Sequence, residues 1–153
     1  MALNTLIRSL IDYNAPHWTS NDIVFFTANQ VVKANGHLVM GAGNAKAARD
    51  AVQGSALAFG QSLGEKRVHV IRFQGIWLGA LVTKQHFKDP SDLEFVIKSL
   101  RELFKMAKRN PTKTFHVPYP AIGNGGLKRN QLDKYISQLP TNIKVYINPK
   151  SRG

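Results

Sequence analysis

Short apolar runs recur along the chain, and their β-branched and aromatic residues predict buried strands. Between the first and second of these runs, two further extended pieces flank Asn35 and Gly36. Asn-Gly predicts a hairpin there, because both residues tolerate positive φ angles. The predicted strands are 23–27, 68–73, 77–83, 114–118 and 143–147.

Apolar residues three and four positions apart predict helices between the strands. Segment 44–63 is alanine-rich and indicates a helix that Gly54 and Gly60 interrupt. The next helix starts at 89–92, with proline in its first turn, and runs to about Lys108. Its apolar stripe is Leu93, Ile97, Leu100 and Phe104.

A last helix is predicted over 130–138, and the amino-terminal segment also has helical spacing. That spacing favours a short amphipathic helix, although the β-branched residues leave a strand open. Its apolar residues are Leu3, Leu6, Ile7, Leu10 and Ile11.

Strands alternating with helices predict an α/β fold, with a central mixed sheet flanked by helices. With 153 residues, of which 43% are hydrophobic, the chain is expected to form a single domain, residues 1–153. It contains no cysteine, which excludes disulfides, thiolate nucleophiles and cysteine-ligated metals. Neither a signal peptide nor a membrane-crossing run is present, so a cytoplasmic protein without a membrane partner is expected.

The charge of the chain points to anionic partners. Lys and Arg number 21 against nine Asp and Glu, a formal charge of +12, which favours polyanions. The same excess can serve solubility alone. One face of the helix predicted to start at 89–92 is basic. We interpret it first as an ordinary surface exposed to solvent. That face carries Arg101, Lys105, Lys108 and Arg109.

Two glycine-rich loops carry the candidate chemistry. Gly41, Ala42 and Gly43 follow the extended piece that ends near Met40, and the second loop follows the predicted strand 114–118. Ligands of open α/β sheets bind beyond the carboxyl ends of strands. Glycine lets backbone amides approach an anion, and a following helix directs its dipole toward it. Two such loops predict a diphosphate site.

The motifs around these loops resemble those of macro domains. VMGAGNAKAA resembles the first loop of the branch that includes terminal ADP-ribose protein glycohydrolases and DNA ADP-ribosyl glycohydrolase antitoxins. VPYPAIGNGGL resembles the second loop of that branch, and ALVTKQ resembles the strand end that carries its catalytic lysine. TANQVVKANGHLVMGAG is similar to small phage and bacterial macro-like proteins that insert a hairpin before the first loop. The resemblance is strongest over residues 22–149.

The resemblance implies a cleft for ADP-ribose or an ADP-ribosylated macromolecule, with Lys84 as the catalytic residue and no cofactor or metal. Asp22, His37, Lys128 and Asn148 are weaker candidates. Asp22 is considered for the adenine end because the sequence shows no first strand to carry the usual acidic residue. The implied ligand-binding residues are Asn29, Gly41, Ala42, Gly43, Asn44, Gly123, Asn124, Gly125, Gly126 and Leu127.

The sequence differs from the macro-domain motifs at one position, and this difference leaves three possible functions. The aspartate expected after the second loop is replaced by Lys128, and the nearest acid is Asp133. The first interpretation is an ADP-ribose-binding protein that removes the group from protein or nucleic acid through Lys84. The second is a non-catalytic module that binds or sequesters such a signal. The third is a basic nucleic-acid-binding domain, against which the two glycine loops argue.

Overall fold

Residues 6–150 are described by a computed structural model of the chain. In that part, six strands form one sheet, in the order β1-β6-β5-β2-β4-β3, and all neighbours are parallel except β3 and β4. The predicted α/β fold with a mixed sheet is therefore confirmed. The elements along the chain are β1 (Leu6–Arg8), β2 (Asp22–Ala28), α1 (Gly43–Ala51), α2 (Ser55–Ser62), β3 (Val68–Phe73), β4 (Ile76–Val82), α3 (Leu93–Arg109), β5 (Thr114–Pro118), α4 (Arg129–Ile136) and β6 (Ile143–Ile147).

Helices cover both faces of the sheet, so its central strands are apolar on both sides. Phe25 and Phe26 of β2 are fully buried and point to opposite faces. Phe25 stacks on Phe115 in the layer of α3 and α4, with ring centroids 5.8 Å apart. Phe26 meets Phe59 of α2 edge to face at 5.2 Å. The continuous apolar run of β2 is the sequence signature of this double coverage.

The helix predicted at the amino terminus is wrong over the described residues. Leu6, Ile7 and Arg8 form β1, which pairs in parallel with β6, while Leu3 lies outside the described residues. The backbone groups of the β6 edge need partners, and this tertiary pairing outweighs a weak helical pattern. The first strand that the sequence does not show is thus present, and Ser9 to Ile11 follow it at the carboxyl edge of the sheet.

The connection from β2 to α1 differs from a regular hairpin. One antiparallel bridge joins Val32 to Leu38, and no strand forms there. Gly36 has a φ of 86°, and the Lys33 N–H donates to the His37 carbonyl, so the loop holds three residues rather than the two expected for Asn-Gly. The first glycine loop is therefore reached from an extended insertion and not from a strand of the sheet.

The other three predicted helices form at the predicted places and differ in detail. The segment predicted over 44–63 divides into α1 and α2 at Gly54, whose φ is 84°, whereas Gly60 lies inside α2. Pro90 precedes α3, whose N-cap is Asp92. The buried face of α3 is rotated from the predicted stripe, so that Phe104 is exposed. That face consists of Val96, Ser99, Leu100, Leu103 and Ala107.

The sheet opens between β2 and β5 toward their carboxyl ends. Their pairing runs from Asp22 opposite Thr114 to Val24 opposite His116 and stops there. Beyond that point β2 pairs only with β4, and β5 pairs only with β6. The connection that follows β2 leads to β3 and β4 on one side of the parting. The connection that follows β5 leads to β6 on the other side, so the parting is a topological switch point. Within residues 6–150, none of the helices is long and apolar enough to span a membrane.

A partly buried polar network crosses the central strands, from Asp22 at the amino-terminal end of β2 through His116 to Tyr146 near the carboxyl end of β6. His116 Nε2 lies 2.7 Å from Asp22 Oδ1, and His116 Nδ1 lies 2.8 Å from the Tyr146 hydroxyl. Burial lowers the pKa of His116, and the hydrogen bond and charge of Asp22 offset this only in part. Burial raises the pKa of Asp22, but hydrogen bonds from Thr19 and His116 outweigh it and leave that pKa below its ordinary value.

Acidification should therefore destabilise the fold through His116. Its folded pKa lies below the unfolded value of 6.5, so the unfolded state binds more protons as the pH falls. The stability present above pH 6.5 should decrease as the pH falls toward the folded pKa. Urea unfolding at pH 7.5 and at pH 5 measures the loss. The His116→Gln variant should be less stable at pH 7.5 but should lose less on acidification; an equal loss would remove His116 as the cause.

Candidate functional site

A cleft of about 1210 Å³ lies over the parting of β2 and β5. Its walls come from the segments that follow the strands of the sheet and from both glycine loops. The segment after β1 and the residues after β6 close one end, and the loop after β4 closes the other. Since β1 and β4 lie on opposite sides of the parting, the cleft is elongated across the sheet edge.

The first glycine loop presents unpaired amides to the cleft. Gly43, with a φ of 57°, begins α1, and the Lys46 N–H is the first to find a backbone acceptor, the Ala42 carbonyl. Within the described residues, the N–H groups from Gly41 to Ala45 have no hydrogen-bond acceptor. The first turn of α1 contains no acidic residue. Free amides and the helix dipole together favour an anion at this point.

The second glycine loop faces the first across the cleft. A Cβ atom built on Gly43 would lie only 3.8 Å from Asn124 Nδ2. Ala121 has a φ of 67°, a conformation that costs free energy in any residue except glycine and that the surrounding contacts must hold. The Leu127 N–H donates to the Ala121 carbonyl at 2.9 Å. The N–H groups of residues 122–125 have no acceptor within the described chain, so this loop also offers donors to a ligand.

Gly125 fixes the second loop against the segment that follows β4. A Cβ atom on Gly125 would lie 2.6 Å from both the Ala121 carbonyl oxygen and Ser91 Oγ. The Ser91 N–H donates to the Gly125 carbonyl at 2.9 Å. Glycine is required here by this close approach and not by its φ angle. Two walls of the cleft are thereby joined.

Two of the asparagines predicted to bind ligand, Asn29 and Asn44, use their side chains within the protein. Asn29 donates from Nδ2 to the Val39 carbonyl at 3.0 Å and accepts from the Val31 N–H at 3.0 Å. Asn44 Oδ1 accepts from the Thr27 N–H at 2.7 Å, a group of β2 that the parting from β5 leaves without a strand partner. Both residues line the cleft. These hydrogen bonds of Asn29 and Asn44 hold the walls of the cleft in place.

Lys84 lies at the cleft end formed by the loop after β4. It is half-buried, and its ammonium makes no hydrogen bond or ion pair with any described residue. Lys88 lies in the same wall and Lys150 in the opposite one. The cleft therefore holds free positive charge at both ends, which suits an elongated anionic ligand.

The remaining predicted residues divide between cleft and surface. Asn148 lines the cleft, as do Gly123, Asn124, Gly125 and Gly126 of the second loop. Leu127 packs against the apolar core instead. Three more predicted residues do not line the cleft. His37 lies in the turn of the insertion, Lys128 is exposed at the start of α4, and Asp22 lies at the opposite end of β2.

Asp133 does not take the place of the aspartate that the sequence lacks after the second loop. Its carboxylate accepts from the Tyr119 hydroxyl and from Arg129 Nε, the latter at 3.3 Å. Burial raises the pKa of Tyr119, and the Asp133 carboxylate raises it further, so the phenol remains a donor. α4 begins at Arg129, and this early start directs Asp133 toward Tyr119 rather than into the cleft. Asp133 ties α4 to the second loop.

Several residues of the cleft were not identified from the sequence. Ser9, Leu10 and Ile11 line it because β1 is a strand, a point that the helical spacing concealed. Asp89 lines it too, but Asp-Pro was interpreted only as the start of a helix. Its position five residues after Lys84, in the loop that follows the strand, was the available signal.

The basic surfaces lie outside the cleft. The α3 residues Arg101, Lys105, Lys108 and Arg109 are all exposed, and Lys105 pairs with Glu102 at 3.4 Å. In the described part of the chain no cluster of three His, Cys, Asp or Glu side chains suitable for a metal is found. Hydrogen-bond donors without a partner among the described residues are thus concentrated in the cleft.

Solved structures with the same fold are recognised by shape and not by sequence. Neither protein-family models nor characterised protein sequences match this chain. The macrodomain of Mycobacterium tuberculosis DarG is 20% identical, with a TM-score of 0.69 over 97% of this chain and 99% of that one. The macrodomain of Thermus aquaticus DarG is 21% identical, with a TM-score of 0.69 over 94% and 95% of the two chains.

Thermosipho africanus DarTG in complex with ADP-ribose is similar as well. It is 19% identical, with a TM-score of 0.70 over 86% of this chain. This chain covers only 39% of that larger protein. The mixed sheet, the helices and these similarities establish a macrodomain fold. The resemblance proposed from the two loop motifs is thus confirmed at the level of the fold.

The packing of Gly125 leads to a stability prediction. Gly125→Ala should lower the free energy of unfolding by about 1 to 3 kcal/mol, because the new Cβ must displace the Ala121 carbonyl and Ser91. Gly123→Ala is the matched control in the same loop, since nothing lies within 4 Å of its Cβ position. It should change stability by less than about 0.5 kcal/mol. Urea unfolding of both variants checks this, and equal losses would contradict it.

Proposed function

We propose that the chain binds ADP-ribose in the cleft over the parting of β2 and β5. The observation that carries this proposal is the pair of opposed loops whose amide groups have no acceptor in the described protein. Two adjacent phosphates need several donors from two directions, and unpaired amides at a helix N-terminus supply them without a mobile side chain. The macrodomain fold of DarTG, whose complex contains ADP-ribose, supports the assignment.

The shape of the cleft suggests the direction in which the ligand lies. The end near β1 and β6 combines Leu10, Ile11 and Tyr146 with Asn148, an apolar wall with a few polar groups that suits a flat base. The opposite end holds Lys84 and Lys88 and is open to solvent. We place the adenosine at the first end and the second ribose beside Lys84, where a macromolecule attached to that ribose can extend outward.

We also propose that Lys84 acts in removal of the ADP-ribosyl group from a modified protein or nucleic acid. An ammonium beside the anomeric carbon stabilises negative charge that develops on the departing group. Lys84 is suited to this because no carboxylate pairs with it. A non-catalytic binder is the competing function, and the observation that favours it is the exposed position of Lys128 outside the cleft, where an aspartate was expected.

Binding is tested by closing the gap between the two loops. Gly43→Val should abolish calorimetric binding of ADP-ribose, because its side chain enters the space before Asn124. Gly64→Val is the matched control: Gly64 has a φ of 55° and open surroundings, so the backbone strain is similar but the cleft is untouched. The control should bind ADP-ribose as the parent does. Absence of binding by the parent protein at millimolar ligand would refute the proposed function.

Cleavage is tested through Lys84. Lys84→Ala should slow release of ADP-ribose from a modified substrate by about 100-fold or more while leaving ADP-ribose affinity largely unchanged. The substrates are a peptide ADP-ribosylated on glutamate and an oligonucleotide ADP-ribosylated on a base. Lys108→Ala removes an exposed, unpaired lysine of α3 and serves as the control. Equal rates for the parent and Lys84→Ala would exclude Lys84 from the reaction.

A further inference from the structure

We propose that Asp89 is the catalytic carboxylate of this cleft, the residue that takes the proton from the attacking water. The inference rests on the proposed function, since it assigns a second group to the reaction beside Lys84. Asp89 comes from the loop after β4, whereas the acid implied by the sequence resemblance follows the second glycine loop. The same proton transfer would therefore be performed by a carboxylate on a different wall of the cleft.

The loop that carries Asp89 is held in place at both ends. On one side, the Asp89 N–H donates to the His86 carbonyl at 3.1 Å, and the Lys88 N–H donates to His86 Nδ1 at 3.1 Å. On the other side, the Ser91 N–H donates to Gly125, and Asp92 caps α3 by accepting from the Phe95 N–H at 3.0 Å. Asp89 thus lies on a fixed turn between the Lys84 strand end and the second glycine loop.

Asp89 is the one acidic residue among the described residues that line the cleft. The other groups that line the cleft favour anions, since they include three lysines and the free amides of the two glycine loops. A carboxylate in such a site repels a diphosphate and weakens its binding, so binding alone gives no reason for it. A reaction that must remove a proton does give a reason, because neither ammonium groups nor amides can accept one.

The carboxylate of Asp89 is also free to act. Its oxygens make no hydrogen bond or ion pair with any described residue, and the side chain is exposed. Asp133 has its oxygens engaged by Tyr119 and Arg129, and Asp22 is engaged by His116 at the far end of β2. Of these three acids, Asp89 alone lines the cleft and has unoccupied lone pairs.

The step that Asp89 performs balances without any further reactant. A water oxygen forms a bond to the anomeric carbon of the second ribose, and the bond from that carbon to the attached atom breaks. The bonding pair leaves with the attached atom, whose negative charge is stabilised by Lys84. Asp89 accepts the proton that the water loses and then passes it to the departing group or to solvent. The products are ADP-ribose and the unmodified macromolecule.

The experiment compares binding and release in the same preparations. Asp89→Asn should slow release of ADP-ribose from the glutamate-modified peptide or the modified oligonucleotide by about 100-fold or more. It should bind free ADP-ribose at least as tightly as the parent, because it removes a negative charge from an anion site. Glu65→Gln makes the same charge change at an exposed acid outside the cleft and should alter neither quantity.

A second variant separates proton transfer from a structural effect. Asp89→Ala should regain part of its release rate when formate is added, because formate can enter the vacated space and accept the proton. Lys84→Ala should gain nothing from formate. A parent protein that binds ADP-ribose but releases none from either substrate overturns this proposal and leaves the binding function standing. Unchanged release by Asp89→Asn, or no response of Asp89→Ala to formate, overturns the role of Asp89. A parent protein that fails to bind ADP-ribose overturns both.

Discussion

The separation of β2 from β5 is the constraint on which the rest of this molecule depends. Three pairs of residues hold the two strands together at their amino-terminal ends, and then each strand continues with a different neighbour. The opening leaves backbone groups of β2 without a strand partner, and the protein satisfies one of them with Asn44 from α1. The same side chain therefore keeps the sheet open and fixes the helix whose N-terminus faces the opening.

Two sets of polar groups accompany these strands, and they differ in whether their hydrogen bonds are made within the protein. Asp22 at the closed end bonds to His116, and His116 bonds to Tyr146 near the carboxyl end of β6, which connects β2, β5 and β6. At the open end, the amides of the two glycine loops have no partner within the described chain. Buried polar groups are normally satisfied inside the protein. The unsatisfied donors thus support the proposed binding site at the carboxyl edge, whereas the satisfied network links the strands to one another.

The charged residues that line the cleft come from a different segment than the one expected after the second loop. Lys128 starts α4 and faces solvent, while Asp133 secures Tyr119 and the helix. The loop after β4 instead contributes Lys84, Lys88 and Asp89 to a single wall. That loop is joined to the second glycine loop by the hydrogen bond between Ser91 and Gly125, so the two segments proposed to surround the reacting sugar are directly connected. This connection suits a site proposed to hold a lysine and a carboxylate in fixed positions.

Local sequence was sufficient wherever one strong pattern governed a segment. The apolar runs of β2 to β6, the two glycine loops and Lys84 at the end of β4 were all predicted where the structure has them. Strands buried on both faces leave a continuous apolar run. Glycine is needed where backbone conformation or close approach excludes a side chain, as at Gly43 and Gly125. Both signals are properties of a few neighbouring residues and can be read without the fold.

What the amino-acid sequence determined by itself was thus the order of the elements from β2 onward, the α/β class and the two loops. Tertiary structure alone decided that residues 6–8 form a strand, since their partner is β6, more than 130 residues away. It also decided which polar side chains are free: Asn29, Asn44 and Asp133 are engaged, whereas Lys84 and Asp89 are not. The physical reason is that a hydrogen bond or a shared wall depends on distances between segments that lie far apart in the chain, and no local pattern contains those distances.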